Sequence, residues 1–488
     1  MSISSHHPLY ADFLKDWDKL ADAYRGERVV KEAGQKYLPP TAGQLIDGMG
    51  ANEDGYKNYQ AYKTRARFPG FLAQAVEALL GIMHHKPANI ELPSQMESLL
   101  ESATVKGESL ENLLRRINES QLVDGRVGLL ADVPDGAPAG VLPYIATYCA
   151  KDIINWDDGA RNELVRQTLN LVVLNETEPV RGKDFEWENE EKYRVLVYGE
   201  VDPNEPESAG LEYRMGVYTE EDGGTYTEDL MITPSIAGKS PDQIPFVFIN
   251  SKDIVPDPDS PPLLGLAELA FAVYRSEADY RQSLFMQGQD TLVIIGGMGE
   301  EEIRAGAGAT ITVTQGGDAK YIGVESAGLE EQRMAIENDR KEAADIGGKL
   351  LDTSGRDAES GDALRIRVSA RTASLNQIAL AGASGLETIL KMMARWIGAP
   401  EDQVVVTPNL DFADDEVDGR TLVDIMAAKM TGLKLSDESI HEYMQEKGLT
   451  KNSFEEEQQQ LDKEDPLDGG DGTGAGGDPD ADSLDDGE

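Results

Sequence analysis

Cysteine is nearly absent: Cys149 is the single one in 488 residues. One thiol can neither close an intrachain disulfide nor build a thiolate metal cluster, and this usage suits a protein made in a reducing cytoplasm. Its setting, LPYIATYCAKDIINW, reads as a buried strand, so the thiol is expected to pack rather than to react. Histidine is scarce as well, with 5 in the chain. His6 and His7 sit near the start, and the adjacent pair His84 and His85 would point to different faces of a helix instead of converging on a metal. Positive charge is the third shortage. Against 90 Asp and Glu there are 45 Lys and Arg, a formal net charge of -45. Such a balance argues against a partner held by phosphate neutralisation and against docking on an anionic membrane, although acidity also serves plain solubility. There is no long apolar run either. The most apolar segment, Phe68 to Met83, is interrupted by Gln74 and Glu77 and is too short for a membrane span. The opening MSISSHHPLYADFLKDW lacks the basic stretch and apolar core of a signal peptide, so none is expected.

The motifs that announce common chemistries are missing. No glycine-rich phosphate loop ends in Lys-Ser or Lys-Thr, which argues against a nucleotide-driven motor, and neither GxSxG nor HExxH occurs. The acids Asp411, Asp414, Asp415 and Glu416 could hold Mg²⁺, but they read better as a charged loop ahead of a helix, whose start acids favour. DPDSPP (257–262) lacks the glycine and terminal glutamate of a calcium loop and reads as a turn. No catalytic residue, cofactor or metal site is therefore predicted, and the chain is expected not to be an enzyme.

What the sequence does contain is a change of character along its length, and the length itself suggests two to four domains. Residues 10–30 are helical by pattern and end at the extended Tyr37–Pro40. Residues 58–83 are helical too, with Pro69 marking a helix start, and 86–93 reads as a short extended piece. In 108–122, Leu110, Leu113, Leu114, Ile117 and Leu122 share one helix face. The period then drops to that of strands: 126–134, 144–156, and several between 160 and 250 that end with IPFVFIN, read together as antiparallel and half-exposed. Past the proline-rich 257–262, a helix over 263–288 leads to a small β-rich insert with strands at 291–295, 309–313 and 319–324. A second helix, 328–350, carries one thin apolar stripe, Leu329, Ile336, Ala343 and Leu350, among charges. That suits a helix in a bundle or ring with polar neighbours, or simply one facing solvent. The polar loop 351–362 precedes a very long helix over 363–397, in which Gly382 and Gly385 are candidate kinks. Helices at 421–433 and 435–448 follow. From Glu455 the chain is almost devoid of apolar residues and is expected to be disordered. That tail holds fourteen acids against Lys463, about -13, which leaves roughly -32 on the folded part.

The order of elements over 245–397 resembles the phage portal family. IPFVFIN (244–250) resembles the strand before that family's stem, and LAELAFAVYRSEADYRQSLFMQGQDTLVIIG (266–296) its first stem helix leading to the clip. SGDALRIR (360–367) resembles the Ser-Gly-x-Ala-Leu-[Lys/Arg] pattern after the tunnel loop, carried here by Ser360, Gly361, Ala363, Leu364 and Arg365. DAYRGERVVKEAGQKYLP (22–39) is also similar to one branch of phage portals, and the resemblance spans roughly 20–450.

The resemblance implies an α+β, mainly helical portal fold. Its parts would be a wing with an antiparallel sheet (1–260), a first stem helix (261–290), a β-rich clip (291–326), a second stem helix (327–350), a tunnel loop (351–362), a long helix (363–400), a helical crown (401–454) and an acidic tail (455–488). It implies a dodecameric ring at one capsid vertex, assembled in the bacterial cytoplasm, that threads double-stranded DNA without sequence specificity. The terminase motor, a head–tail adaptor and the major capsid protein or scaffold would be its partners, with no membrane involved. Ser354, Gly355, Arg356, Asp357 and Glu359 would touch DNA in the tunnel loop, with Arg356 making transient phosphate contacts. Glu330, Arg333, Glu337, Arg340 and Lys341 would line the channel from the second stem helix. A different virion structural protein, such as an adaptor, is the alternative; a carboxylate-based hydrolase or nuclease is the less favoured one.

Overall fold

The computed structural model describes residues 3–133, 140–158, 169–182, 185–200, 211–221, 225–228, 231–236, 238–288, 291–295, 316–322, 328–348, 361–410, 412, 436–446 and 452–458. It is α+β and about half helical. The chain divides into two units, 1–412 and 413–488.

Five helices open the first unit: α1 (Pro8–Arg25), α2 (Glu27–Ala33), α3 (Ala42–Ile46), α4 (Asp54–Arg65) and α5 (Phe71–Met83). The single helix predicted over 10–30 is two, because Gly26 takes φ 85°, a conformation glycine reaches without penalty, and closes α1 through its N–H on Asp22 O. The periodic run 58–83 is likewise divided, by the non-helical residues 66–70 that contain Pro69. Strand β1 (Asn89–Glu91) falls in the expected extended piece. Helix α6 (Leu110–Val123) is capped by Ser109, whose Oγ accepts from the Asn112 N–H at 3.3 Å, and it buries the predicted face.

Strands β2 (Arg126–Asp132), β3 (Tyr144–Cys149) and β4 (Ile153–Asp157) follow. The predicted strand 144–156 is thus two, parted by a turn at 150–152 in which Asp152 accepts from the Cys149 N–H at 3.3 Å and from its Sγ at 2.9 Å. Burial, with Asp152 beside it, pushes the thiol of the half-buried Cys149 up to about 12. Next come β5 (Leu171–Asn175), β6 (Glu178–Arg181), β7 (Trp187–Glu190), β8 (Lys192–Glu200), β9 (Leu211–Glu221), β10 (Thr225–Glu228) and β11 (Phe246–Asn250). The order β10-β9-β8-β5-β4 makes one antiparallel sheet and β11-β2-β3 another, while β6 and β7 pair only with each other. IPFVFIN therefore does not continue the half-exposed sheet with which it was grouped. All five residues of β11 are buried, since Val247 and Ile249 face a helical core while Phe246 and Phe248 face the five-stranded sheet.

The remaining elements of this unit are α7 (Leu264–Gln287), the antiparallel hairpin β12 (Thr291–Ile295) and β13 (Asp318–Ile322), α8 (Leu329–Gly348), α9 (Gly361–Ile397) and β14 (Val405–Thr407), which pairs with β1. The strand expected at 309–313 lies outside the described residues. Helix α9, 37 residues and about 55 Å at 1.5 Å per residue, runs past both helical cores: Leu375, Ile378 and Ala379 in one, then Leu386, Ile389, Leu390 and Met393 in the other. It starts at Gly361, so two residues of the loop predicted at 351–362 are already helical. In the second unit, Asp437–Glu446 forms the predicted helix, with Ser436 Oγ accepting from the Ser439 N–H at 3.1 Å. Residues 454–458, partly within the tail expected to be disordered, form a helical turn that Ser453 and Glu456 close reciprocally at 3.3 and 3.0 Å. The helix expected at 421–433 lies outside the described residues.

Asp124 shows how α1 and α6 are joined. Its carbonyl accepts from Trp17 Nε1 at 2.9 Å, and Trp17 is fully buried. The side chain sits at the C-terminal, electronegative end of α6. Burial pushes its carboxyl from 3.8 up to about 6, with Asp152 adding to the rise and Lys151 opposing it. The folded state therefore holds a proton that the unfolded chain releases, and stability falls as pH rises from about 4 to 6. A two-unit rise corresponds to about 3 kcal/mol, and partial exposure reduces this to about 1–2 kcal/mol. Asp124→Asn is expected to gain that amount at pH 8 and to lose the slope between pH 4 and 6 in urea unfolding. A variant less stable than the parent at pH 8 would contradict this account.

Candidate functional site

The stretch α7–β12–β13–α8 is built as an arm. Its root is the aromatic and aliphatic core of the N-terminal helices: Tyr37 stacks on Phe271 at 4.3 Å, Phe68 meets Tyr274 edge-on at 5.8 Å, and Ala278 is fully buried. Beyond Ala278 the helix leaves the core. Tyr62 and Arg65 of α4 hold this exit, the tyrosine donating to Asp279 Oδ1 at 2.6 Å and the arginine lying over the Phe285 ring at 4.0 Å. Leu284, Phe285 and Met286 at the end of α7, Ile295 on β12 and Met334 on α8 are 40–54% exposed. Helix α8 returns along α7 and buries Ile336 and Ala343 of the predicted stripe, while Leu329 is half-buried and Leu350 lies outside the described residues.

The two helices are clamped by one buried carboxylate. Glu277 on α7, 6% exposed, receives Arg281 Nε at 2.7 Å and Arg340 Nη2 of α8 at 2.5 Å. Neither arginine is deeply buried, so both can be rehydrated if the carboxylate is removed, and the cost should stay near 1–2 kcal/mol. Glu277→Gln is expected to speed amide exchange of residues 336–343 about tenfold, the equivalent of 1.4 kcal/mol of local opening. Unchanged exchange would show that apolar packing alone holds α8.

The predicted channel residues fall into three sets. Glu330, Arg333 and Glu337 form one exposed ladder on α8, Arg333 reaching Glu330 at 2.5 Å and Glu337 at 2.6 Å; the hydrogen bond to Arg333 lowers the Glu330 carboxyl. Lys341 is exposed. Arg340, by contrast, is turned to α7 by Glu277, a partner that sequence spacing could not reveal because it lies in another helix. Ser354, Gly355, Arg356, Asp357, Glu359 and Ser360 lie outside the described residues. Gly361, Ala363, Leu364 and Arg365 stand in the first turns of α9, with side chains outside the description.

Among the described residues no group of three His, Cys, Asp or Glu could hold a metal, and no helix is long and apolar enough to cross a membrane. His84 and His85 diverge as expected: His84 Nε2 meets Asn118 Oδ1 at 2.9 Å, and His85 Nδ1 donates to Ile82 O at 2.9 Å. In the proline-rich turn, Asp259 accepts from the Lys252 N–H and Ser251 Oγ at 3.0 and 3.2 Å, so it shapes the loop. Asp411, Asp414, Asp415 and Glu416 lie outside the described residues.

Residues 262–397 match a protein family described as a domain of unknown function, DUF4055. The match is a little over a quarter of the chain, and its limits coincide with the start of α7 and the end of α9, so the arm and the long helix recur as one unit. No curated protein matches the sequence. Among solved structures, the neck of an empty gene transfer agent (GTA) particle computed with C6 symmetry overlaps at 13% identity and a TM-score of 0.38, over 77% of this chain and 89% of that one. The neck of a native GTA particle computed with C12 symmetry overlaps at 14% identity and a TM-score of 0.36, covering 76% and 87%. The virion of a native gene transfer agent particle gives 14% and 0.34, covering 81% and 90%. TM-scores under 0.5 lie below the level of a shared fold.

Proposed function

We propose that this chain is a non-enzymatic subunit of a phage portal ring, the channel at one capsid vertex that admits, retains and releases double-stranded DNA. The observation that carries the reading is the arm. Two antiparallel helices flank a β-hairpin, leave apolar side chains bare on one subunit and lead to a 37-residue helix. Exposed apolar residues on a projecting element call for a neighbour, and copies arranged around an axis supply one. This is the element order of the portal resemblance, stem–clip–stem–tunnel loop–long helix. On that reading the subunit belongs to the virion and meets the terminase motor, then a head–tail adaptor, through the clip.

The charge fits a conduit. A wall that neutralised phosphates would hold the duplex more tightly with every contact, whereas a net acidic one lets it slide. Negative-stain images of the purified chain, joined to its mass by light scattering, test the proposal. Rings with a central hole and weak DNA affinity at low salt are expected; compact monomers, or tight binding by the bore, would refute it. Removing 353–358, with Arg356, is expected to leave ring assembly intact and to reduce packaged or retained genome at least tenfold. Normal packaging would take the loop out of the mechanism.

A further inference from the structure

Two small features of the N-terminal region hold aliphatic side chains bare although their backbones are pinned. Helix α3 carries the first. Thr41 N donates to Gln44 Oε1 at 2.9 Å and Gln44 N to Thr41 Oγ1 at 3.5 Å, a reciprocal cap, and Gln44 is buried. Past the helix, Asp47 N donates to Gly43 O at 3.0 Å, Gly48 N to Leu45 O at 3.3 Å, and Gly50 N to Glu53 Oε2 at 2.6 Å. Met49 packs on the core that takes Leu122, at the C-terminal end of α6. This knob nevertheless presents Leu45 and Ile46, 57% and 85% exposed, beside an exposed Asp47. The second feature is the turn ahead of α6. Gly107 N donates to Thr104 O at 2.9 Å, which puts Val105 and Lys106 at the corners, and Ala103 N closes the base on Glu108 O at 2.7 Å. Ala103 belongs to the other helical core, with Leu110 at the N-terminal end of α6. Val105 is 75% exposed, and Lys106 is exposed beside it.

An aliphatic side chain on a loose loop can fold back under cover. One on a pinned backbone cannot, and its apolar surface stays in water until a partner covers it. Among the described residues neither Asp47 nor Lys106 is in an ion pair. We infer that the Leu45–Asp47 knob of one copy docks on the Val105–Lys106 turn of the next copy in the ring. This contact rests on the ring reading above and assigns part of its interface. Charge selects the pairing. Two knobs face to face would set Asp47 against Asp47, and two turns would set Lys106 against Lys106; knob on turn joins aliphatic to aliphatic and acid to base. A chain of net charge -45 repels its own copies, so a contact between copies needs opposite charges placed locally. The two features also stand on different cores, joined by α6, whose 14 residues span about 21 Å at 1.5 Å per residue. A contact between two different patches is heterologous. Repeated with a rotation that closes, it makes a ring, whereas self-pairing of one patch stops at a dimer.

The test uses the full-length chain. Ile46→Cys and Val105→Cys in one chain should give, under mild oxidation, a ladder of disulfide-linked multimers that dithiothreitol returns to monomer, because a disulfide forms only where two Cα atoms come within about 7 Å. Each single-cysteine variant, which keeps the half-buried Cys149 of the parent, should give no ladder. Asp47→Lys is expected to raise the concentration at which rings assemble about tenfold, read by light scattering, and Lys106→Glu in the same chain to restore it. Both positions are exposed, and an unchanged circular dichroism spectrum checks that folding is spared. Rings without a ladder from the double-cysteine chain would overturn this contact and leave the ring reading standing. Ladders of equal length from a single variant, or no recovery on the second charge reversal, would do the same. A parent chain that stays monomeric in the images would overturn both.

Discussion

Gly385→Ala is expected to cost about 3 kcal/mol or more and to leave only a marginally folded chain. Helix α9 crosses the buried sheet at this point, and a Cβ on Gly385 would lie 2.3 Å from Ile249 Cγ1 and 2.4 Å from its Cδ1. Ile249 is fully exposed to neither solvent nor cavity; it is completely buried in the core that α9 shares with α6 and β2. Moving the terminal Cδ1 aside would not relieve the clash, because it also involves Cγ1, next to Cβ in a β-branched side chain whose rotamer is restricted. Trimming that side chain supplies the control. Ile249→Ala alone loses about 2–5 kcal/mol to the cavity it leaves, but combined with Gly385→Ala the new methyl occupies part of that space. The double variant should therefore be at least ~1 kcal/mol better than the sum of the two single losses in denaturant unfolding. Strict additivity would mean that α9 does not approach β11 as closely as the geometry states. One turn earlier, a Cβ on Gly382 would meet Asn118 Nδ2 at 2.5 Å and Gln121 Oε1 at 2.7 Å, so both glycines serve close approach.

Those two residues also mark where sequence reading reached and where it stopped. Glycines inside a helical pattern suggested kinks; α9 is helical through both, from Gly361 to Ile397, and at both a Cβ would meet a neighbouring element. Nothing in a one-dimensional pattern distinguishes a glycine that bends a helix from one that lets a strand come near. Periodicity did reveal the helices of the arm and α6, whose apolar faces repeat over many residues. It could not tell that 144–156 turns from one sheet into another at Ala150–Asp152, because an apolar strand looks the same in either sheet. The ribbon of β6 and β7 escaped notice for a different reason: its paired residues are all exposed, so it has no apolar alternation to detect. In the candidate site, the exposed ladder of Glu330, Arg333 and Glu337 follows from helical spacing alone. The attachment of Arg340 to Glu277 does not, since it spans 63 residues of sequence.

Arg194→Met is expected to lose about 3–5 kcal/mol, because among the described residues it is the one cation that reaches both members of a carboxylate pair that the two sheets share. Arg194 stands on β8. Its Nη1 contacts Asp132 at the end of β2 at 2.5 Å, and its Nε lies 2.7 Å from Glu176 Oε1, just past β5. Asp132 is 5% exposed at its side chain and Glu176 16%, so water cannot replace the guanidinium. The neighbours are already committed: Tyr144 donates to Asp132 Oδ2 at 2.9 Å, and Tyr148 donates to Glu176 Oε1 at 2.7 Å. Burial alone would lower the Arg194 pKa, but Tyr148 and the carboxylates of Glu176 and Asp132 raise it. Lys192, 3.7 Å from Glu176, is too far to serve Asp132 as well. With methionine at 194 the two carboxylates would face each other across the junction of the sheets. Removing one charge should relieve that repulsion, so Asp132→Asn in the Arg194→Met background is expected to recover about 1–2 kcal/mol while costing stability in the parent chain. Calorimetry on the four proteins reads the result. If Asp132→Asn were equally harmful in both backgrounds, the ion pair would contribute nothing to joining the sheets, and the loss on Arg194→Met would be one of packing alone.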